Sequence, residues 1–175
     1  MSDPQRLPDI CAAASTLPKG SALIYRHFGA DDRRMIADSL RQIAFSRDLQ
    51  FLIGKDARLA KDCGADGVHL PEADIAHAAL IRARFQDWLI TGAAHSGAAL
   101  AKAASFDLDA AILSPVFASQ SPSAGRPLGI DTFAGLAKSA PLPVFALGGI
   151  HAGNAKRLIG SGTSGFAGVS GIANG

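Results

Sequence analysis

The chain has 175 residues, 48% of them hydrophobic and 18% charged, with a formal net charge of +2. That composition belongs to a globular domain and excludes a disordered chain. So small a charge argues for no nucleic acid and no acidic membrane surface as partner. The length suits one domain, residues 1–175, with a sizeable core. Cys11 and Cys63 have neither metal-ligand spacing nor a disulfide framework, which points to a reducing compartment. No run is long enough for a membrane span, and the N-terminus lacks a signal pattern. A cytoplasmic protein is the simplest expectation.

In chain order, residues 4–15 predict a helix with no strand before it. A short apolar run, 22–25 (ALIY), follows. Residues 31–47 carry Met35, Ile36, Leu40, Ile43 and Ala44 at helical spacing, with Arg33, Arg34, Arg41 and Arg47 read as a solvated face. Further apolar runs occupy 51–53, 67–70, 88–90, 110–113, 144–147 and 166–169. Helical patterns over 56–63, 74–85, 96–104, 131–139 and 153–159 separate them. Asp74, Ser96 and Asp131 stand where N-caps would, and Gly64 where a helix stops. Apolar runs of this kind, bounded by turn residues, suit strands buried on both faces.

Strands alternating with helices mean parallel βαβ units, either as an open doubly wound sheet or as a (β/α)8 TIM barrel. No dinucleotide glycine fingerprint follows the first strand, which weakens the open sheet. The last two strands end in "ALGGI" and "GVSGI", which favours the barrel. There the last strand ends form a phosphate site from backbone N–H groups. In either architecture ligands sit at the C-terminal strand ends. The stretch "ILSPVFASQSPSAGRPLGI" (112–130) follows such an end and is too long and polar for a tight turn, so it reads as an active-site loop.

Four stretches now carry a family resemblance: "GADGVHLPEAD" (64–74), "LSPVFASQSPSAGRPLG" (113–129), "VFALGGI" (144–150) and "GFAGVSGI" (165–172). In this order and spacing they resemble the thiamine phosphate synthases and their relatives, the thiazole tautomerases. The resemblance runs from about Ala22 to the end. It implies a (β/α)8 barrel that joins a hydroxymethylpyrimidine diphosphate to a thiazole phosphate with Mg²⁺ and releases diphosphate. Small phosphorylated thiamine precursors are then the partners, and a homo-oligomer is compatible with it.

Carried over residue by residue, the resemblance keeps Arg26 of a Gln-x-Arg-x-Lys strand but places Ile24 and Phe28 at its other two positions. Gly54-Lys55 stands where the family has Asn and a Mg²⁺-binding Asp, so Lys55 is a candidate for holding the diphosphate directly. Asp74 matches the second metal aspartate. Ala93 replaces a serine on the diphosphate, and Ser119-Gln120-Ser121-Pro122 replaces Thr-x-Thr-Lys. The phosphate-binding positions are Ser119, Ser121, Arg126, Gly148, Gly149, Val169, Ser170 and Gly171. Tautomerases have a His where Pro115 stands. Arg26, His69 and His95 are the catalytic candidates. His69 doubles as a core histidine and His95 as a helix start, Asp74 as an N-cap, and Gly148-Gly149 as a plain turn. Alternation puts Arg26 and His27 on opposite faces of the strand, so only one points into the barrel, and Arg26 is the favoured one. The alternative function is a non-catalytic or tautomerase-like protein that binds thiazole phosphate.

Seven strands are one short of a closed barrel. The resemblance makes strand 1 and helix 8 the absent pieces, both on one seam, with unpaired strand edges facing it. A start codon assigned too far downstream is the favoured account, beside a partner strand in the gap or imperfect closure.

Overall fold

A computed structural model describes residues 1–3, 7–29, 31–119, 121 and 125–169. Its elements are α1 (Ile10–Thr16), β1 (Ala22–Tyr25), α2 (Arg33–Arg47), β2 (Gln50–Gly54), α3 (Ala57–Asp62) and β3 (Gly67–Leu70). A 3₁₀ segment (Glu72–His77) leads into α4 (Ala78–Arg84). Then come β4 (Leu89–Ala94), α5 (Gly97–Ser105), β5 (Ala110–Leu113), α6 (Ile130–Ser139), β6 (Val144–Ala146), a 3₁₀ turn (Ala155–Leu158) and β7 (Gly165–Phe166). The strands form one parallel sheet in sequence order, β1 to β7. It curls in the manner of a TIM barrel.

Alternation along the strands explains the curl. Leu23, Tyr25, Phe51, Ile53, Val68, Ile90 and Leu113 face the helices in one large core. Ile24, Leu52 and Ile112 face inward and form a second, smaller cluster with Leu89, Phe145 and Leu147. At Gly67 the neighbouring strand comes very close. A Cβ on Gly67 would run into the backbone carbonyl of Leu89, so only glycine fits there.

The start of the sheet is tied by a repeated device. Asp66 precedes β3, and its Oδ2 accepts from the Phe51 N–H of β2 at 2.7 Å and pairs with Arg41 of α2 at 3.2 Å. Asp109 precedes β5 and accepts from the Ile90 N–H of β4 at 2.6 Å, pairing with Arg82 of α4 at 2.7 Å. In each case a helix arginine and a strand aspartate fix the register of neighbouring strands.

The arginines of α2 are therefore more than a solvated face. Arg33 bonds Asp56 at 2.8 Å and the Gly54 carbonyl at 3.1 Å, and Arg34 reaches the Asp62 carbonyl at 3.0 Å. Arg47 donates to the Leu17 carbonyl at 2.9 Å. A guanidinium has five donors, and the neighbouring loops offer acceptors that no helical pattern shows.

Two expected caps differ. Asp131 lies inside α6, whose N-cap is Gly129 at φ 76° without a side-chain bond. Asp74 lies inside the 3₁₀ segment that begins after Pro71. Ser96 does cap α5, accepting from the Ala99 N–H at 3.1 Å. The 153–159 helix shortens to one 3₁₀ turn.

β1 and β7 end the sheet. Ser2 donates to the Ile24 carbonyl at 2.8 Å, and the Met1 ammonium donates to the Gly168 carbonyl at 2.8 Å. These residues bridge the seam at the C-terminal end of the strands. Below them an apolar cavity of about 750 Å³ opens between α1, β1 and β7. Among the described residues no helix is long and apolar enough to cross a membrane.

Candidate active site

The C-terminal strand ends surround a cavity of about 580 Å³. Arg26 reaches it from β1. It enters over Gly54, where a Cβ would lie 3.0 Å from the Arg26 Cγ. Ser2 holds it in place: its Oγ accepts from the Arg26 N–H at 2.6 Å and its carbonyl from Nε at 3.2 Å. His27, as the alternation predicts, faces away and lies against Tyr25.

His69 stands on the cavity floor, 4% exposed, its Nδ1 3.0 Å from the Thr91 Oγ1. Burial pushes its pKa down to about 3, and the nearby charges of Arg26 and the Met1 ammonium add to the effect. The imidazole is neutral at physiological pH. It hydrogen-bonds; it does not act as an imidazolium acid. His95 is exposed at the end of β4, and its backbone N–H donates to Glu72 Oε2 at 2.8 Å. Its Nδ1 is 2.8 Å from the Ser114 carbonyl, which only accepts, so Nδ1 carries the proton and Nε2 of the neutral ring is an acceptor.

The opposite wall is bare backbone. Gly148 has φ 103° and Gly149 φ 64°, conformations that suit glycine. A Cβ on Gly148 would sit 2.7 Å from the Pro115 Cα, and one on Gly149 would strike the Ala118 carbonyl. The long loop after β5 is the reason. Its Val116 and Phe117 N–H groups donate to the Leu147 and Gly148 carbonyls, and its end returns through Leu128 and Gly129 to Pro115 and Val116. The two ends of the loop thus extend the sheet.

Ser119, Ser121 and Val169 line the same cavity. Arg126 is exposed and outside the lining. Ser170 and Gly171 lie outside the described residues. Sequence reasoning passed over His151 and Asn154, which also line the cavity. Asn154 accepts from the His151 N–H at 2.9 Å and donates to the Gly149 carbonyl at 2.8 Å, clamping the glycine turn. An Asn five residues past a Gly-Gly pair was the available signal.

Lys55 and Asp74 stand on the rim beyond β2 and β3, outside the cavity lining. Their charges meet, Nζ to Oδ2, at 3.2 Å.

The model of the family described as thiamine monophosphate synthase matches residues 5–172. The chain belongs to the thiamine monophosphate synthase family. It is 31% identical over 174 residues to the thiamine-phosphate synthase of Acidithiobacillus ferrooxidans, which covers 94% of this chain and 80% of that protein. It is 33% identical over 138 residues to a putative thiamine-phosphate synthase of Geobacter sulfurreducens, covering 78% of this chain. The chain spans 65% of the length of that relative. In fold it is similar to the thiamine phosphate pyrophosphorylase from Pyrococcus furiosus, with a TM-score of 0.85 and 24% identity over 99% of this chain and 85% of that one.

The family's enzymes usually use Mg²⁺, an ion that prefers octahedral oxygen ligands from one or two carboxylates and the substrate. Here Asp74 gives an oxygen to the Lys55 ammonium. Among the described residues no three His, Cys, Asp or Glu side chains converge. A cation beside the remaining carboxylate repels a second cation. The residues present do not fit Mg²⁺.

Proposed function

We propose that the chain couples a hydroxymethylpyrimidine diphosphate to a thiazole phosphate and releases diphosphate. The cavity at the strand ends carries the reading: a floor of Arg26 and His69 facing a wall of glycine backbone. The thiazole phosphate takes the glycine side, approached by Gly148, Gly149 and Val169 with the hydroxyls of Ser119 and Ser121. Ser170 and Gly171 belong to the same set by the family resemblance. In the reaction the bond from the pyrimidine methylene to diphosphate breaks, the thiazole nitrogen attacks the resulting cation, and the electron pair leaves with diphosphate. Arg26 offsets that leaving charge, neutral His69 orients the pyrimidine by hydrogen bonding, and His95 Nε2 accepts a hydrogen bond at the mouth. Catalysis of this kind is positioning and electrostatics.

The curled sheet is then the sheet of a (β/α)8 barrel. We assign the protein to the cytoplasm.

Ala93, Pro115 and Gly54-Lys55 favour a second reading, a protein that binds thiazole phosphate without coupling. Calorimetric titration with thiazole phosphate, followed by an assay for thiamine phosphate, tests both. Binding with turnover supports the synthase. Binding without turnover moves the assignment to the second reading, and no binding overturns both.

A further inference from the structure

We propose that the Lys55 ammonium does the work of a divalent cation at the diphosphate end of this site. The chain would then bind a diphosphate through side-chain cations without metal. The inference rests on the coupling reading and names what receives its leaving group.

The first observation is position. Lys55 follows Gly54, and Gly54 is the residue over which Arg26 passes, 3.0 Å from a Cβ placed there. The two cations therefore leave adjacent strands at the same rim. Lys55 also donates its backbone N–H to the carbonyl of His69, at 2.9 Å, so the turn is fixed against the strand that carries the cavity floor.

The second observation is backbone conformation. Lys55 has φ 66°, a left-handed value that costs a residue with a side chain. Glycine would make this turn without that cost. The turn therefore does not explain the lysine, and the ammonium is left as its use.

The third observation is the ion pair. Asp74 Oδ2 lies 3.2 Å from Nζ, with the Asp74 side chain 20% exposed and that of Lys55 61% exposed. The less exposed carboxylate anchors the ammonium, which has further N–H donors for an anion. Glu72, the other acid on this segment, is engaged by the His95 N–H at 2.8 Å. An ammonium is a compact charge with three donors, well suited to phosphate oxygens. It also engages one of the two oxygens that Asp74 would offer a metal.

Calorimetric titration of inorganic pyrophosphate into the full chain, in EDTA and then with Mg²⁺, tests this. The wild type binds pyrophosphate in EDTA, and Mg²⁺ does not strengthen binding. Lys55→Ala loses about 10- to 100-fold in affinity, the range for a charge-assisted hydrogen bond. Lys55→Arg keeps most of it. Asp74→Asn keeps metal-free binding; a loss in this variant of binding that needs Mg²⁺ would mark Asp74 as a metal ligand and overturn the inference. Wild-type binding that appears only with Mg²⁺, or Lys55→Ala binding like the wild type, overturns the inference. A thermal melt of each variant confirms folding; the exposed Lys55 side chain leaves the core untouched. Thiazole phosphate titrated into the same proteins separates the two proposals. Its failure to bind removes the coupling reading while the lysine-dependent pyrophosphate site stands. Its binding beside metal-dependent pyrophosphate removes the lysine inference alone.

Discussion

Arg26 reaches the cavity across Gly54, so close that a side chain at position 54 would crowd it. A Cβ there would lie 3.0 Å from the Arg26 Cγ, 3.1 Å from the Tyr25 carbonyl and 3.2 Å from the Phe28 ring.

Gly54→Ala should therefore displace Arg26 and cost about 1–3 kcal/mol, as overpacking does. Urea unfolding checks the stability, and thiazole phosphate titration checks the cavity. Gly54→Asn with Lys55→Asp, which restores the family pair beside the Arg26 that the family shares and frees Asp74 from Lys55, should recover Mg²⁺-dependent turnover. No turnover in that double variant would show that the pair alone does not restore the metal site.

Gly149→Ala should abolish thiazole phosphate binding. The site combines φ 64° with a clash against the Ala118 carbonyl, so both the turn and the long loop must shift. Gly125→Ala, with nothing within 4 Å of its would-be Cβ, should bind like the wild type. Equal loss in both variants would remove the argument from close approach.

Acid should destabilise the fold through His69. Its folded pKa is about 3, below the ordinary value of 6.5, because burial and the Arg26 charge disfavour the imidazolium. The unfolded chain then binds the extra proton between those values. Stability is complete above about pH 6.5 and falls as pH drops toward 3, by up to about 1.4 kcal/mol per unit. His27 is also held down by burial and adds in the same direction, and the Met1 amino group, lowered from 8.0 to about 5, adds a loss of its own as pH falls from 8 to 5. Melting temperatures between pH 7 and pH 5 should fall less steeply in His69→Gln. An unchanged slope would mean that His69 is not the group being read.

Asp66→Ala should lower stability and leave ligand affinity alone. It strands the Phe51 N–H that Asp66 accepts at 2.7 Å, which costs about 1–3 kcal/mol. Asp66 lies at the start of β3, the end of the sheet that keeps the fold rather than the chemistry. A weakened thiazole phosphate titration with unchanged unfolding would contradict that division.

Asp66 also shows what the motif "GADGVHL" contains. Its Asp and Gly67 serve strand register and close packing, and only His69 of that run reaches the cavity. Reading the motif as a family signature was sound; reading its residues as one site was not available from spacing. The arginines of α2 teach the same lesson. Helical periodicity put them away from the core, but their acceptors are carbonyls and carboxylates of loops distant in sequence.

The sequence by itself determined the order of strands and helices, because buried parallel strands must be short apolar runs between amphipathic helices. It determined that Arg26 and His27 point to opposite faces, since side chains alternate along a strand, and the structure put Arg26 inside. It also determined the family, through four motifs in order. Only the tertiary structure decided which groups meet. Lys55 and Asp74 are far enough apart in sequence that nothing in their spacing pairs them, yet adjacent parallel strands bring their ends within 3.2 Å. Arg126 left the site and Asn154 entered it for the same reason: a loop's sequence fixes its composition, while the backbone it hydrogen-bonds to fixes where its side chains point.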